Sequence, residues 1–279
     1  MEYVKLNNGV VMPQLGYGVY LISPDEAERC VSDALKVGYR LIDTAQMYQN
    51  EAGVGAAIRK SGIDRKDIFL VSKIWPSDYG YDKAAARIDE SLRLLQTDYL
   101  DLMLLHQPFG DVYGAYRALE DAYKAGKVKA IGVSNFYADR FIDLASNVEI
   151  APQVNQVETH VFNQETEVRE AAKEFDTQVM GWGPLAQGQL GIFTNKVLKT
   201  IGEHHGKTIS QTALRYLLQE GIVVIPKSTH VERMKENLNV FDFELSADEM
   251  QQIKALDQNY RLNNHRDPQL VHWFMSTMK

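Results

Sequence analysis

The sequence predicts an α/β chain folded as a (β/α)8 barrel of the TIM type, and three observations carry that expectation. Eight short runs rich in β-forming residues recur along it. Segments with helical apolar spacing separate them. The runs are apolar without alternation, which suits strands buried on both faces and joined in parallel by helical crossovers. The chain has 279 residues, 45% of them hydrophobic, and no linker rich in Pro, Gly or Ser. Residues 1–279 are therefore read as a single domain.

Taken in order, "VKLNNGVVMPQLG" sets Asn-Asn-Gly between two short β-type runs and predicts an N-terminal hairpin closing the barrel bottom. The strand runs are 15–19 ("LGYGV"), 39–43 ("YRLID"), 68–73 ("IFLVSK") and 100–106 ("LDLMLLH"). They continue with 129–135 ("KAIGVSN"), 153–158 ("QVNQVE"), 178–182 ("QVMGW") and 222–228 ("IVVIPKS"). Helical spacing marks "PDEAERCVSDALKVG", "YDKAAARIDESLRLLQ" and "QETEVREAAKEF" between them. The interval 183–221 is expected to hold a loop and an extra helix around "GIFTNKVLKTIGEHHG", before the helix "SQTALRYLLQE". After the last strand come "VERMKENLNVF", a second extra helix at "SADEMQQIKALD", and a tail read as irregular from Gln258 onwards.

A formal net charge of −7 disfavours nucleic acid and anionic membrane as partners, since both repel it. No run reaches the roughly 18 apolar residues of a membrane helix. The start, "MEYVKLNNGVVMPQLGYG", lacks the charged and apolar regions of a secretion signal, so the expected location is the cytoplasm. Cys30 is the sole cysteine; no disulfide forms within the chain, and its amphipathic surroundings suit a buried helix position.

Polar residues stand at the ends of the strand runs: Asp43, Lys73, His106, Ser134 with Asn135, Gln156, Trp182, and Lys227 with Ser228. Tyr48 follows in the loop after the second run. The C-terminal ends of barrel strands meet on one rim, where barrel enzymes keep their active sites. Singly, each residue has a plain explanation. Asp43 could bond a turn, Lys73 could be a solvated strand end, Tyr48 could pack with its hydroxyl hydrated, and His106 could be a satisfied rim histidine. Together their chemistry is complementary. A phenol titrates at about 10, too high for ready proton exchange at neutral pH. An adjacent ammonium is expected to lower that value, and a carboxylate keeps the ammonium charged. Tyr48 is thus the expected general acid, supported by a Lys73–Asp43 ion pair, with His106 sharing a hydrogen bond to the same substrate oxygen. Such a set protonates a carbonyl oxygen as its carbon takes a nucleophile.

A hydride donor must then come from a cofactor. No Gly-x-Gly-x-x-Gly follows a strand; "GVGAAI" (53–58) falls inside a helix and lacks the third glycine. The better anion site lies in "IPKSTHVERMKENLNVF", where Thr229-x-x-Glu232 reads as a capping box that sets a helix N-terminus beside Lys227 and Ser228. Arg233 and Asn237 would share one face of that helix. No ligand spacing calls for a metal, and His204 and His205, adjacent on a helix, face apart as surface residues do.

"GYRLIDTAQMYQNEAGVG", "LDLMLLHQP", "GVSNF", "VNQVETH" and "IPKSTHVERMKENLNVF", in that order, resemble the aldo-keto reductase superfamily over essentially the whole chain. The resemblance implies NADPH-dependent reduction of small aldehydes and ketones, with Asp43, Tyr48, Lys73 and His106 as the catalytic tetrad. It implies that Ser134, Asn135 and Gln156 hold the nicotinamide carboxamide and that Trp182 stacks on the ring. Gly18, Val19 and Tyr20 on one side, and Ile225 on the other, would border the cofactor. Gly183, Pro184, Leu185, Gln187 and Leu190 would cross its pyrophosphate. Lys227, Ser228 and Arg233, with Thr229 beside them, would meet the 2′-phosphate, which a guanidinium fork and an ammonium suit. Glu236 and Asn237 would face the adenine.

The sequence departs from the family pattern at Val19, where threonine is frequent, at Gly183, where serine is common, and at Gln107, where tryptophan is frequent. Tyr48, Trp75, His106 and Gln107 would bind substrate, with Tyr17, Tyr20 and Trp273 as further wall candidates. His160 would be a structural neighbour of the site. The implied substrates are small carbonyls such as the 2-oxoaldehyde methylglyoxal, turned over by a cytoplasmic monomer. Two alternatives stay open: a 2,5-diketo-D-gluconate reductase, from the "NNHRDP" tail, and a cofactor-binding regulatory subunit with little turnover.

Overall fold

The computed structural model describes residues 1–277. Tyr3–Lys5 (β1) and Val11–Pro13 (β2) pair antiparallel. Gly9, at φ 89°, makes the turn and donates its N–H to Leu6 O at 2.8 Å. The eight strands of the barrel are β3 (Tyr17–Gly18), β4 (Leu41–Asp43), β5 (Phe69–Ile74) and β6 (Leu102–Leu105), then β7 (Ile131–Ser134), β8 (Val154–Glu158), β9 (Gln178–Trp182) and β10 (Val223–Val224). Each overlaps one of the runs read from the sequence. They pair in parallel in chain order. A parallel bridge from Leu15 to Val224, and Gly18 N donating to Pro226 O at 3.2 Å, join the last strand to the first.

Around the ring lie α1 (Pro24–Val37), α2 (Glu51–Lys60), α3 (Tyr81–Leu95), α4 (Val112–Lys124), α5 (Ala138–Ser146) and α6 (Thr166–Lys173). The ninth-to-tenth strand crossover carries α7 (Lys196–His205) and α8 (Ile209–Gln219), and α9 (Val231–Leu238), α10 (Ala247–Lys254) and α11 (Pro268–Thr277) follow the barrel. Capping boxes start α8 (Thr208 with Gln211) and α10 (Ser246 with Glu249). The glycines of "GVG" serve packing. A Cβ on Gly55 would lie 2.4 Å from Leu95 O, so α2 rests on the end of α3 only because no side chain intervenes.

Two expectations for the last third are overturned. The Thr229-x-x-Glu232 box does not form; α9 begins after His230 with no side-chain cap, because Ser228 Oγ accepts the His230 N–H at 3.1 Å in a turn ahead of the helix. Nor is the tail irregular throughout, since α11 occupies Pro268–Thr277. Asp267 Oδ1 accepts Gln269 N at 2.8 Å and Pro268 takes the first helical position, a start signal that was present in "RDPQL".

Period-two alternation decides what faces the barrel axis. Leu41, Val71, Leu104, Val154, Met180 and Val223 form an inner core, floored by Leu6 and Met12 of the hairpin. The residue two positions further along a strand sits on the same side, one layer higher. That step carries Leu41 to Asp43, Val71 to Lys73, Leu104 to His106, Val154 to Gln156 and Met180 to Trp182. The polar layer thus sits directly on the apolar one.

Candidate active site

Asp43 and Lys73 belong to neighbouring strands, and Lys73 Nζ lies 2.6 Å from Asp43 Oδ1 with both side chains buried. Nζ also donates to Thr44 O at 2.9 Å and lies 3.4 Å from Tyr48 Oη. Tyr48 ends a short 3-10 turn, Gln46–Tyr48, that leaves β4. Gln46 anchors the turn by accepting Trp75 N at 2.8 Å. The Tyr48 ring sits 5.7 Å from that of His106 and 5.1 Å from that of Tyr20, and is half-buried in the wall of a cleft. Asp43 Oδ2 accepts Gln156 Nε2 at 2.8 Å, so the carboxylate is held from both sides.

Burial, then the Asp43 carboxylate, then Tyr20 push the Tyr48 phenol well above its ordinary value. This reverses the direction expected from the sequence. The Lys73 ammonium is already engaged by Asp43 and Thr44 O, and its own affinity for a proton is lowered by burial, which outweighs the opposing pull of Asp43. Tyr48 therefore holds its proton firmly. His106 is kept neutral, driven well below its usual value by burial, by Lys73 and by His265. Its Nδ1 is buried and has no hydrogen-bond partner among the described residues.

The cleft has a volume of about 560 Å³. Its lining includes Trp75, Gln107 and Trp182, the loop residues Gly183, Pro184, Leu185 and Gln187, and Ile225, Pro226 and Lys227. Trp182 is fixed by Nε1 donating to Asn135 Oδ1 at 2.8 Å. Gly18 also lines the cleft, and a Cβ there would come within 2.9 Å of Ile225 O.

The aldo/keto reductase family model matches residues 12–258. A glyoxal reductase of Bacillus subtilis is 46% identical over 268 residues, spanning 95% of this chain and 96% of its own length. The methylglyoxal reductase DkgA of Escherichia coli is 39% identical over 267 residues, 95% of this chain and 96% of its own. Among solved structures, an aldo-keto reductase of Bombyx mori in complex with NADP superposes with a TM-score of 0.89 at 30% identity, covering 94% of this chain and 95% of the other.

The chain belongs to the aldo/keto reductase family.

In this reductase most of the residues expected at the site border the cleft. They are Gly18, Tyr20, Asp43, Tyr48, Trp75, His106, Gln107, Ser134, Asn135, Gln156, Trp182, Gly183, Pro184, Leu185, Gln187, Ile225 and Lys227. Lys73 stands behind Asp43 and Tyr48, reaching them from below. Others lie elsewhere. Val19 packs into the outer core, its carbonyl accepting Asn50 Nδ2 at 3.1 Å. Tyr17, a wall candidate, is buried against Tyr39 with its hydroxyl bonded to Ser228 O. Leu190, Ser228 and Thr229 are not among the lining residues. On α9, Arg233 is exposed whereas Asn237 is buried, and Glu236 accepts from Thr208 Oγ1 at 2.7 Å. His205 is not a free surface residue; it bonds Glu249 at 3.0 Å. His160 is wholly buried, 2.9 Å from Glu158.

Leu21, Met47, Phe193, Asn263, His265, Leu270 and Phe274 also line the cleft and were missed. Four of them belong to the tail, which two buried glutamates pin. Glu158 accepts Leu262 N and Asn263 N at 2.7 and 3.0 Å, and Glu165 pairs with Arg261 at 2.6 Å. The missed signal was a glutamate at the end of β8 and a second seven residues on, the latter paired with an arginine 96 residues away.

Proposed function

We infer that this reductase converts small aldehydes and ketones to alcohols with NADPH, with Tyr48 as the proton donor. The observation carrying this is the buried Asp43–Lys73 pair, with Lys73 Nζ 3.4 Å from the Tyr48 hydroxyl at the cleft wall. NADPH, when bound, supplies a hydride. The residues present suit such a cofactor. Trp182 offers a flat indole held by its Nε1–H on Asn135, the glycines at 18 and 183 leave backbone open to a close approach, and Lys227 adds a basic side chain to the lining. Ser134 Oγ and Gln156 lie between, as groups for an amide.

Tyr48 keeps its hydroxyl protonated at neutral pH and donates a hydrogen bond to the carbonyl oxygen. As charge builds on that oxygen it becomes a stronger base than the phenolate, so the proton moves despite the raised affinity of the phenol. Lys73 then faces a phenolate and stabilises it, while Asp43 keeps the ammonium in place. Neutral His106 donates from Nε2 to the same oxygen and orients the carbonyl. Trp75 and the tail aromatics exclude water. Relatives named glyoxal reductase and methylglyoxal reductase support a 2-oxoaldehyde as the substrate.

Following NADPH consumption with methylglyoxal in Tyr48→Phe tests this directly. Cofactor affinity should persist and turnover should fall by about 100-fold or more, the loss of one positioned acid. Turnover near wild type would exclude Tyr48 as the donor.

A further inference from the structure

We propose that Thr44 and Asn50 are positioning residues for the proton donor: they close the loop that carries Tyr48 and fasten it to the Lys73 acceptor on one side and to the Tyr20 turn on the other. The inference deepens the reading of Proposed function and rests on Tyr48 as the donor. Tyr48 is borne by residues 44–50, which leave β4, pass through the Gln46–Tyr48 turn and enter α2. Gln49, directly after the tyrosine, sits in left-handed backbone at φ 58°, so the loop turns sharply there. Its two ends are joined to each other. Thr44 Oγ1 donates to Asn50 Oδ1 at 2.7 Å, and both residues are buried.

Asn50 holds the N-cap position of α2, where an asparagine side chain ordinarily bonds the first free N–H groups of the helix. Among the described residues no such capping bond forms. The amide serves the site instead. Its Oδ1 takes the Thr44 hydroxyl, and Nδ2 donates to Val19 O and Ile22 O, each at 3.1 Å. These partners fix its orientation, since a rotated amide would point its oxygen at two carbonyls. Thr44 is fastened as fully. Its N–H donates to Val71 O at 2.9 Å, and its carbonyl accepts Lys73 Nζ at 2.9 Å. Val19 N donates to Asp43 O at 3.1 Å and Ile22 N to Val19 O at 3.2 Å, closing a turn across Leu21 at φ 58°. That turn presents the Tyr20 ring 5.1 Å from the Tyr48 ring. One buried amide thus connects the carbonyl that orients the Lys73 ammonium, the loop that bears the phenol, and the ring that packs on it. A helix cap needs none of these bonds. Proton transfer needs the donor within hydrogen-bond reach of the substrate oxygen, and a displacement of about 1 Å costs about 100-fold.

The test compares Thr44→Val, which keeps the shape of the side chain and removes its donor, with Thr44→Ser, which keeps the hydroxyl. Thr44→Ala removes the same donor and serves if the valine variant does not fold, as judged by urea unfolding. Methylglyoxal reduction and NADPH affinity, by fluorescence titration, are measured for each. Thr44→Val is also combined with Tyr48→Phe, whose residual rate is read from product formed over long incubation. Thr44→Val should lower kcat by about 10- to 100-fold while NADPH affinity stays within about threefold of wild type. Thr44→Ser should recover most of that loss. In the Tyr48→Phe background Thr44→Val should change the residual rate by less than about twofold, because a positioning effect disappears with the group it positions. A kcat within about twofold of wild type in the donor-less variant, whatever its stability, would overturn the proposal. So would an equal loss in Thr44→Ser, or a further loss of about tenfold in the Tyr48→Phe background. Absence of NADPH oxidation in wild type would instead sink the reductase reading, and wild-type turnover in Tyr48→Phe would sink the donor assignment, so the failures are distinct.

Discussion

Replacing Lys73 by methionine tests whether the Asp43–Lys73 pair is charged at neutral pH, on which the electrostatics of the site depend. Methionine keeps the length and apolar stem of the lysine but removes the ammonium, leaving the Asp43 carboxylate buried with Gln156 Nε2, at 2.8 Å, as its remaining side-chain partner. Breaking a buried pair from one side costs about 3–5 kcal/mol. The reciprocal change, Asp43→Asn, should cost less. Burial already lowers the Lys73 pKa, so that lysine, once unpaired, can release its proton. In the double variant no charge is buried, and stability should return to within about 2 kcal/mol of wild type. Urea unfolding followed by far-ultraviolet circular dichroism gives all four values at pH 7. A deficit below about 1 kcal/mol at pH 7 would refute a charged pair.

Three further outcomes follow from the same site. With Tyr48 pushed up and His106 pushed down, kcat for carbonyl reduction should be flat between about pH 6 and 9, while oxidation of the alcohol, which needs the phenolate, should rise with pH; a reduction profile with an inflection near neutrality would contradict this. His265 is neutral in the folded state but takes a proton near 6.5 when unfolded, so it removes stability as pH falls through that value, by about 2 kcal/mol at pH 5. His265→Phe should therefore lose less stability than wild type between pH 7 and 5 in urea titrations, and an identical loss would remove His265 as a cause. Arg233→Ala should weaken NADPH binding by about 10- to 100-fold and leave NADH almost unchanged, as read by fluorescence titration; equal weakening would show that the guanidinium does not read the 2′-phosphate.

What the sequence made legible follows the parts of the chain where backbone geometry dictates side-chain direction. In a barrel the alternation of a strand is fixed by its pairing, so an apolar residue two positions before a polar one, as in Leu41 to Asp43 or Val71 to Lys73, already says that the polar group stands above the core on the inner side. The order of strand ends then brings Asp43, Lys73 and His106 to one rim, with Tyr48 on the turn that follows β4. The far wall has no such rule. Leu270 and Phe274 reach the cleft because buried Glu158 and Glu165 capture backbone and Arg261 of the tail, an interaction with no period to detect. The same distinction explains the reversed direction for Tyr48. A lysine near a tyrosine is visible as spacing, but whether its charge is spent elsewhere depends on atoms that only the fold brings together: Asp43 at 2.6 Å and Thr44 O at 2.9 Å leave Tyr48 the most distant of three partners. A donor held protonated by burial and released only when the substrate oxygen becomes strongly basic serves reduction better than one acidified in advance. The acidified phenol would already be partly ionised before a carbonyl arrived, and an ionised phenol has no proton to give.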